Sequence, residues 1–275
     1  MRQNIKQKIQ RFYDVSSPYI FKFWGPHIHD GYYVNGRESK LEAQENLIRL
    51  LATKANILRG TKIFDVGCGI GGTCIYLSKE FGAVTTGITI SPVQIEMAKK
   101  LAQQHRVNCR FILGDAEKMN LYLKDNNFDI IWVLGAITHL TNQEKFLREA
   151  TKFLNLKGKF IIGDWMVADG ISNSEENKHI NPILHGMLMP NAYSLNTYIA
   201  RFIKYGYKIV YAEDITANTI KTWEVTLSII RNPAIWELAY KEGTEFINFL
   251  KSIHAIKRAM QQGQMRFGVI VAEKI

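Results

Sequence analysis

The hydrophobic pattern of the chain changes period repeatedly from about residue 61 onward. Short β-branched and aromatic runs, typical of buried strands, alternate with segments whose apolar positions recur at helical spacing. The clearest helix start is Ser91-Pro92, because serine is a good N-cap and proline suits the first helical turn. The predicted strands are Lys62–Val66, Ala83–Ile88, Arg110–Leu113, Phe128–Leu134, Lys159–Gly163, Gly206–Glu213 and Arg266–Glu273, and the predicted helices include Gly71–Glu80, Ser91–Gln104, Gln143–Leu154 and Leu195–Tyr205. Strands separated by helices predict an α/β fold with a parallel, doubly wound sheet.

This pattern divides the chain into four predicted parts. Residues 1–60 form an N-terminal helical cover, and residues 61–213 form the α/β core. The apolar helical block Thr219–Met260 is too long for a connecting loop, so residues 214–262 are predicted to be a helical cap over the mouth of the site. Residues 263–275 return as the last strand of the core sheet.

Composition excludes several other classes of protein. The 275 residues are 47% hydrophobic and 22% charged, which is typical of a globular chain. No apolar run reaches the ~18 residues of a membrane-spanning helix, and the first residues do not resemble a secretory signal. Cys68, Cys74 and Cys109 lack metal-ligand spacing and are interpreted as free thiols in a reducing compartment. We therefore expect no metal and a cytoplasmic location.

The net charge of +10 does not by itself identify a partner. The lysines are scattered, and the chain lacks the basic, aromatic-interleaved appendage of nucleic-acid modules, so no nucleic acid is expected. An ordinary solvated surface is the favoured interpretation, with peripheral attraction to an anionic membrane as the alternative. The expected assembly is a monomer or homodimer.

The most informative segment runs from Asp65 to Gly72, where the first predicted strand ends in a tight turn. Glycines suit such a turn because they adopt positive φ and let a ligand approach backbone N–H groups closely. Gly67, Gly69 and Gly72 satisfy the dinucleotide-binding spacing, which is a weak signal when it stands alone. With Asp65 before the glycines and Cys68 among them, the string resembles the first motif of class I S-adenosylmethionine (SAM) methyltransferases.

The next two strand ends help to separate these cofactors. A nicotinamide cofactor calls for an acidic residue about 20 positions after the glycines, to hold the ribose. The second strand instead ends in Thr89-Ile90, with Gln94 one helical turn later. After the third strand, Asp115-Ala116 places a carboxylate where an adenine amino group would lie, although an ordinary turn is the alternative interpretation.

Two further groups of residues are candidates for the chemistry. The fourth strand ends at Leu134, and His139 follows as either a structural histidine or a base for methyl transfer to a neutral nucleophile. Before the core, aromatic residues and histidines are concentrated around Trp24, His27 and His29. Aromatic faces suit a cationic sulfonium or a flat apolar acceptor, whereas packing of an N-terminal helix pair is the alternative.

Together these strings resemble the γ-tocopherol methyltransferase and sterol C-methyltransferase group, and the resemblance covers nearly the whole chain. It implies a seven-stranded Rossmann-like methyltransferase sheet, SAM as cofactor and S-adenosyl-L-homocysteine as product. The residues it implies for cofactor binding are Tyr13, His29, Gly67, Gly69, Thr89, Ile90, Gln94, Asp115, Ala116 and Leu134. Asp65 and Cys68 of the glycine turn, together with His139, are further expected cofactor-binding residues. The expected catalytic residues are His139, His27 and His29, and the expected acceptor-facing residues are Tyr19, Trp24, Tyr32, Ile137 and Trp223.

The chain departs from this group after the fourth strand. Gly135 and Thr138 stand where tocopherol and sterol members usually carry glutamates, and only His139 is kept. Loss of a carboxylate that stabilises a cation argues against an alkene acceptor. The resemblance then favours C- or N-methylation of a small hydrophobic acceptor, a prenylated aromatic or indole-type specialised metabolite. The alternatives are γ-tocopherol-type ring methylation, a nicotinamide-dependent oxidoreductase and an inactive SAM-fold regulatory module.

Overall fold

The computed structural model describes residues 2–124, 127–172, 174 and 176–275. Within these ranges, seven strands form one sheet in the order β3-β2-β1-β4-β5-β7-β6, with helices on both faces. The strands are β1 (Lys62–Val66), β2 (Val84–Thr89), β3 (Arg110–Leu113), β4 (Phe128–Leu134), β5 (Leu154–Val167), β6 (Tyr207–Asp214) and β7 (Met265–Lys274). The predicted α/β, doubly wound, Rossmann-like fold class is confirmed.

The helices follow the expected alternation with the strands. They are α1 (Arg2–Phe23), α2 (Lys40–Lys54), α3 (Gly72–Phe81), α4 (Pro92–His105), α5 (Gln143–Thr151), α6 (Asn181–Gly186), α7 (Leu195–Lys204), α8 (Thr216–Thr219), α9 (Lys221–Ile229), α10 (Pro233–Glu242) and α11 (Thr244–Gln261). Short 3-10 turns lie at Ala116–Leu121 and Ile137–His139, and a π-helical turn at Glu176–Ile180. Ser91 caps α4 as expected, because its hydroxyl accepts a hydrogen bond from the Gln94 amide. None of the described helices is both long and apolar enough to cross a membrane.

The sheet is mixed, so the expectation of an all-parallel sheet is wrong for its last strand. β7 lies between β5 and β6 and runs antiparallel to both. The reason is the position of α8 to α11. These helices leave the carboxyl end of β6, and β7 begins at that same edge and must run back across the sheet.

Several predicted boundaries also differ from the structure, most of all those of β5 and the end of the helix before it. α5 ends at Thr151, and β5 begins at Leu154 rather than at Lys159. Leu154 already pairs with Phe128 of β4, and the far end of β5 continues to pair with β7 as far as Val167. Partners on both sides therefore extend this strand in both directions.

Two sets of helices cover the carboxyl edge of the sheet. Ile9 and Phe12 of α1 belong to the same buried hydrophobic cluster as Phe246 and Leu250 of α11. Phe12 stacks on Phe246 with 4.9 Å between ring centroids. The N-terminal cover therefore packs directly on the helices inserted before β7. The proposed division at residues 60, 213 and 262 stays a prediction.

Candidate active site

A cleft opens at the carboxyl ends of β1, β2, β3 and β4. Its lining from the sheet side is Val66, Gly67, Gly69, Ile88, Thr89, Ile90, Gln94, Gly114, Asp115, Ala116, Glu117, Gly135, Ala136, His139 and Leu140. Ile28 and three residues of α1, Lys6, Ile9 and Tyr13, line the opposite side. The cleft is thus closed over by the N-terminal helix.

The glycine turn gives the cleft its floor. Gly67 has a φ of +74°, and a Cβ there would lie 2.4 Å from the Cβ of Ala136. The Gly67 amide donates to the carbonyl of Ile88, which ties the turn to the end of β2. Only glycine fits this position, because an L side chain would be strained at this φ and would also collide with the β4 end. The turn leaves a smooth surface that a cofactor can approach closely.

Hydrogen bonds fasten the end of β2 to the N-terminal helix. The Thr89 hydroxyl donates to Gln94 Oε1 at 2.6 Å, and Gln94 Nε2 donates to the Ser17 hydroxyl at 3.1 Å. Ser91 Oγ also donates to Asp14 Oδ1 at 2.5 Å. Thr89 and Gln94 therefore line the cleft and also hold α1 in place above it.

At the end of β3, two carboxylates meet a lysine of α1. Lys6 Nζ lies 2.6 Å from Asp115 Oδ2 and 2.5 Å from Glu117 Oε2. Burial works to lower the pKa of Lys6, but the hydrogen bonds to both carboxylates leave it raised overall. The cleft thus has a polar end in which α1 neutralises two acidic groups.

His139 lies at the other end of the cleft and makes two hydrogen bonds. Its Nδ1 is 3.0 Å from the Leu188 carbonyl, which can only accept, so Nδ1 carries the proton. Nε2 then accepts a hydrogen bond from the Tyr13 hydroxyl at 2.9 Å. Burial lowers the pKa of His139, which keeps the ring neutral. His139 is therefore a neutral acceptor whose lone pair is held by a residue of α1.

We expect His139→Ala to lower methyl-transfer turnover roughly tenfold, because one buried hydrogen bond that positions Tyr13 is lost. The affinity for SAM should stay within about twofold, since the backbone of the cleft is unchanged. Steady-state kinetics and isothermal titration measure the two quantities. His105→Ala, at an exposed site on α4, is the control. Unchanged turnover in His139→Ala would remove His139 from the mechanism.

A second cavity lies between α1, the loop before α2, and the helices α9 to α11. Its lining is mainly apolar and aromatic: Phe12, Tyr19, Ile20, Phe23, Trp24, Ile28, Trp165, Met187, Trp223, Ile229, Ile230, Ile235, Leu238, Ala239, Phe246, Phe249, Leu250 and Ile253, with Ser16, His29, Asp30, Thr222 and Thr226 as the polar members. Ile28 lines this cavity and the cleft. A molecule held here would lie beside one held in the cleft.

The first helix contributes residues to the lining of both spaces. Ile9 and Tyr13 line the cleft, whereas Phe12, Ser16 and Phe23 line the apolar cavity. The second set follows the helical repeat, which places its members on one stripe of α1. The aromatic N-terminus therefore serves both spaces and is not only packing.

Carboxylates lie at the polar end of the apolar cavity. Asp30 lines it, and Asp30 Oδ2 accepts a hydrogen bond from Trp165 Nε1 at 2.7 Å. Asp164, at the carboxyl end of β5, accepts from the Thr138 amide and hydroxyl and is 1% exposed. Burial raises the pKa of Asp164 to about 6. Although the chain lacks the glutamates after β4, Asp30 and Asp164 can place a carboxylate near the acceptor.

The sequence-derived site residues fall into three groups. Those that line the cleft are Tyr13, Gly67, Gly69, Thr89, Ile90, Gln94, Asp115, Ala116 and His139, and those that line the apolar cavity are Tyr19, Trp24, His29 and Trp223. Asp65, Cys68, Leu134, His27, Tyr32 and Ile137 are not among the described residues that line either space. Their assignment to the site stays a prediction.

The residues of this third group lie close behind the walls of the two spaces. Asp65 accepts a hydrogen bond from the Cys74 thiol at 3.2 Å, and burial raises its pKa to about 7. His27 packs against Gly72, where a Cβ would lie 2.8 Å from His27 Nδ1. Burial, then the neighbouring His29, lowers the pKa of His27 to about 3, so the ring is neutral. These residues shape the glycine turn from behind.

Sequence reasoning did not assign Lys6, Glu117, Asp30 or Asp164 to the site. Asp30 stood within the aromatic and histidine cluster but carried no motif of its own. Asp164 had one usable signal, because it directly follows a predicted strand at the ligand-binding edge. Nothing local marks Lys6, whose partners lie more than a hundred residues away.

The site combines a glycine turn between β1 and α3, polar groups at successive strand ends and an adjoining apolar cavity. These features define a SAM-dependent methyltransferase of small molecules. A family model described as "Methyltransferase domain" matches residues 57–217, and the chain belongs to this family. SAM is its cofactor. The cleft fits that group, because the glycine turn leaves the space that a Cβ at Gly67 would fill.

Named relatives match nearly the whole chain. Tocopherol O-methyltransferase, chloroplastic, from Arabidopsis thaliana is 25% identical over 98% of this chain and 82% of its own length. Norajmaline N-methyltransferase from Rauvolfia serpentina is 24% identical over 98% of both chains. Among solved structures, mycolic acid cyclopropane synthase CmaA1 complexed with SAH and CTAB has a TM-score of 0.84 at 18% identity, covering 98% of both chains, and shares the fold.

Proposed function

We propose that the enzyme methylates a small hydrophobic acceptor, a prenylated aromatic or indole-type molecule, at carbon or nitrogen. The observation that carries this proposal is the apolar cavity that shares Ile28 with the cofactor cleft. A cavity lined by aromatic and aliphatic side chains, with few polar groups, suits a flat apolar ligand. Its contact with the cleft suits transfer between two molecules bound side by side.

The residues of this chain would act mainly by positioning. SAM supplies an electrophilic methyl group when bound, and Gly67, Gly69, Thr89 and Asp115 would hold it. Holding donor and acceptor at near-attack distance removes much of the entropic barrier to a displacement. The α1 helix lines both spaces and would shield bound donor and acceptor from water.

The relatives support the proposed acceptor class without fixing the acceptor. Two of them are named as methyltransferases, one of tocopherol and one of norajmaline. A structural neighbour was crystallised with CTAB as well as SAH. Each of these comparisons is compatible with a hydrophobic acceptor beside the cofactor.

A second candidate is ring carbon methylation of the γ-tocopherol type. Asp30 favours it, since a buried carboxylate lines the apolar cavity despite the missing glutamates after β4. A carboxylate there can stabilise positive charge that develops on a ring. The sequence argument, which was directed against an alkene acceptor, does not exclude an aromatic ring carbon.

We further propose a cytoplasmic enzyme that acts as a monomer or homodimer, with peripheral membrane contact as a route for hydrophobic acceptors. Cys68, Cys74 and Cys109 are free, as interpreted from the sequence. Free thiols, two of them buried, suit a reducing compartment. Cell fractionation and vesicle flotation would test the two parts of this proposal.

The acceptor class can be tested by incubating the enzyme and SAM with a panel of prenylated phenols, indoles and cyclic amines. Mass spectrometry should detect gain of one methyl group in at least one of these hydrophobic acceptors, together with S-adenosyl-L-homocysteine. Hydrophilic acceptors, such as glycine and free sugars, are the comparison. Methylation confined to the hydrophilic group would contradict the proposal.

A further inference from the structure

Four buried polar atoms around the apolar cavity have no hydrogen-bond partner among the described residues. They are Ser16 Oγ, His29 Nε2, Asp30 Oδ1 and Trp223 Nε1, and all four residues line the cavity. Buried polar groups are nearly always satisfied in folded proteins, and leaving one unpaired is costly. Such a group of unpaired atoms in one cavity indicates that a ligand completes their hydrogen bonds.

We propose that Asp30, assisted by His29, binds a hydrogen-bond donor on the acceptor, an N–H or O–H attached to an apolar ring skeleton. This inference rests on the proposed function and narrows its substrate class. Asp30 becomes an acceptor-binding residue and the main determinant of which hydrophobic molecules are recognised.

The geometry of Asp30 leaves one oxygen for a ligand. Trp165 Nε1 donates to Oδ2 at 2.7 Å, which fixes the carboxyl group, while Oδ1 is unpaired. The nearby Thr222 hydroxyl lowers the pKa of Asp30 by hydrogen bonding, and it accepts a hydrogen bond from the Gly31 amide. Of the described residues lining the cavity, none is lysine or arginine. The carboxylate therefore lacks a cationic partner from the protein.

His29 adds a second hydrogen-bond acceptor next to Asp30. Its Nδ1 is 2.7 Å from the Asp30 carbonyl, which can only accept, so the proton lies on Nδ1. Nε2 then carries a lone pair and is unpaired. Burial lowers the pKa of His29 to about 4, so it remains an uncharged acceptor at neutral pH. Two adjacent hydrogen-bond acceptors require an N–H or O–H group from the ligand.

Aromatic rings frame this polar end of the cavity. Trp165 and Trp223 lie with their ring centroids 5.2 Å apart, and Trp165 is the residue that fixes Asp30. Tryptophan faces attract cations and stack on flat rings. An aromatic or amine-bearing ligand, with its N–H or O–H toward Asp30, satisfies both the rings and the carboxylate.

The charge on Asp30 changes near neutral pH. Burial raises its pKa to about 7, opposed by the Trp165 hydrogen bond and assisted by the charge of Asp164. The titratable groups around it are His29, Tyr33 and Asp164. A carboxylate accepts a hydrogen bond more strongly than a neutral carboxyl group. Preference for a donor-bearing ligand should therefore rise as the pH increases through about 7.

Matched probes test the proposal on the enzyme–SAH complex. One pair is 1,2,3,4-tetrahydroisoquinoline and 1,2,3,4-tetrahydronaphthalene, in which a methylene group replaces the amine N–H, and the other is 2-naphthol and naphthalene. Isothermal titration should show about tenfold or greater preference for the donor-bearing member of at least one pair. The pair that shows it distinguishes an amine N–H from a phenol O–H.

Asp30→Asn tests whether the carboxylate causes this preference. It should reduce the preference at least about tenfold, while SAH affinity and thermal stability stay close to wild type. Asp169→Asn, which removes an exposed carboxylate that accepts from Asn196, is the charge-matched control and should keep the preference. Should Asp30→Asn not fold, the wild-type preference measured from pH 5.5 to 8.5 tests the same claim.

Three results would overturn the inference: a preference retained in Asp30→Asn, no preference in the wild type for either pair, or a wild-type preference that does not change with pH. Because these titrations need no turnover, they are independent of the methyl-transfer assay. If the wild type methylates hydrophobic acceptors but shows no preference for the donor-bearing probes, this inference alone is contradicted. Failure of all hydrophobic acceptors contradicts the proposed function.

Discussion

Gly67→Ala should weaken SAM binding about 100-fold or more. The added Cβ would lie 2.4 Å from the Ala136 Cβ, and the residue would have to hold a φ of +74°. Left-handed backbone costs an L residue about 1–2 kcal/mol, and overpacking adds typically about 1–3 kcal/mol. The turn would have to move away from Ala136, and both residues line the cleft. Isothermal titration with SAM measures the loss.

Gly206→Ala is the matched control for this change. Gly206 also has a positive φ, of +79°, but its Cβ would meet nothing within 4 Å, and the residue is exposed. It carries the backbone cost without the collision and lies outside the cleft lining. Its SAM affinity should equal that of the wild type. Equal SAM affinity in Gly67→Ala and wild type would show that the cofactor does not bind against the glycine turn.

Ala239→Phe should lower acceptor turnover by roughly 10- to 100-fold while SAM affinity stays within about twofold. Ala239 lies on α10, is 1% exposed and lines the apolar cavity. A phenylalanine there would occupy space that the acceptor needs, and the cavity can hold the ring without displacing the sheet. Initial rates over an acceptor concentration series, with titration of SAM, measure both effects.

Ala234→Phe supplies the control on the same helix. Ala234 is exposed, so the same added ring remains outside the cavity. Its turnover should match that of the wild type. If Ala239→Phe and Ala234→Phe are equally active, the apolar cavity is not where the acceptor binds.

Much of the sheet could be predicted because its strands carry a local signal. Lys62–Val66, Arg110–Leu113 and Phe128–Leu134 have the predicted bounds, since each is a β-branched or aromatic run that ends at a glycine or a turn. β5 was predicted too short for a local reason. Its first half contains Lys157, with a φ of +59°, and Gly158, which interrupt the hydrophobic pattern.

Other features depend on partners distant in the chain. The direction of β7 follows from where the inserted helices end, and periodicity within the strand does not encode that. Lys6 reaches Asp115 only after α1 folds over the sheet. Asp30 gains its role from Trp165 and from a cavity built by three separate parts of the chain. Motif spacing could indicate the cofactor but not the polar end of the acceptor cavity.

The most direct test of the central claim is isothermal titration of the purified protein with SAM, S-adenosyl-L-homocysteine and NADH. The cleft, with its glycine turn and no acidic residue at Thr89, should bind SAM and S-adenosyl-L-homocysteine with micromolar affinity and should not bind NADH. Absence of binding by both methyl-cycle ligands would contradict the account and favour an inactive module with this fold.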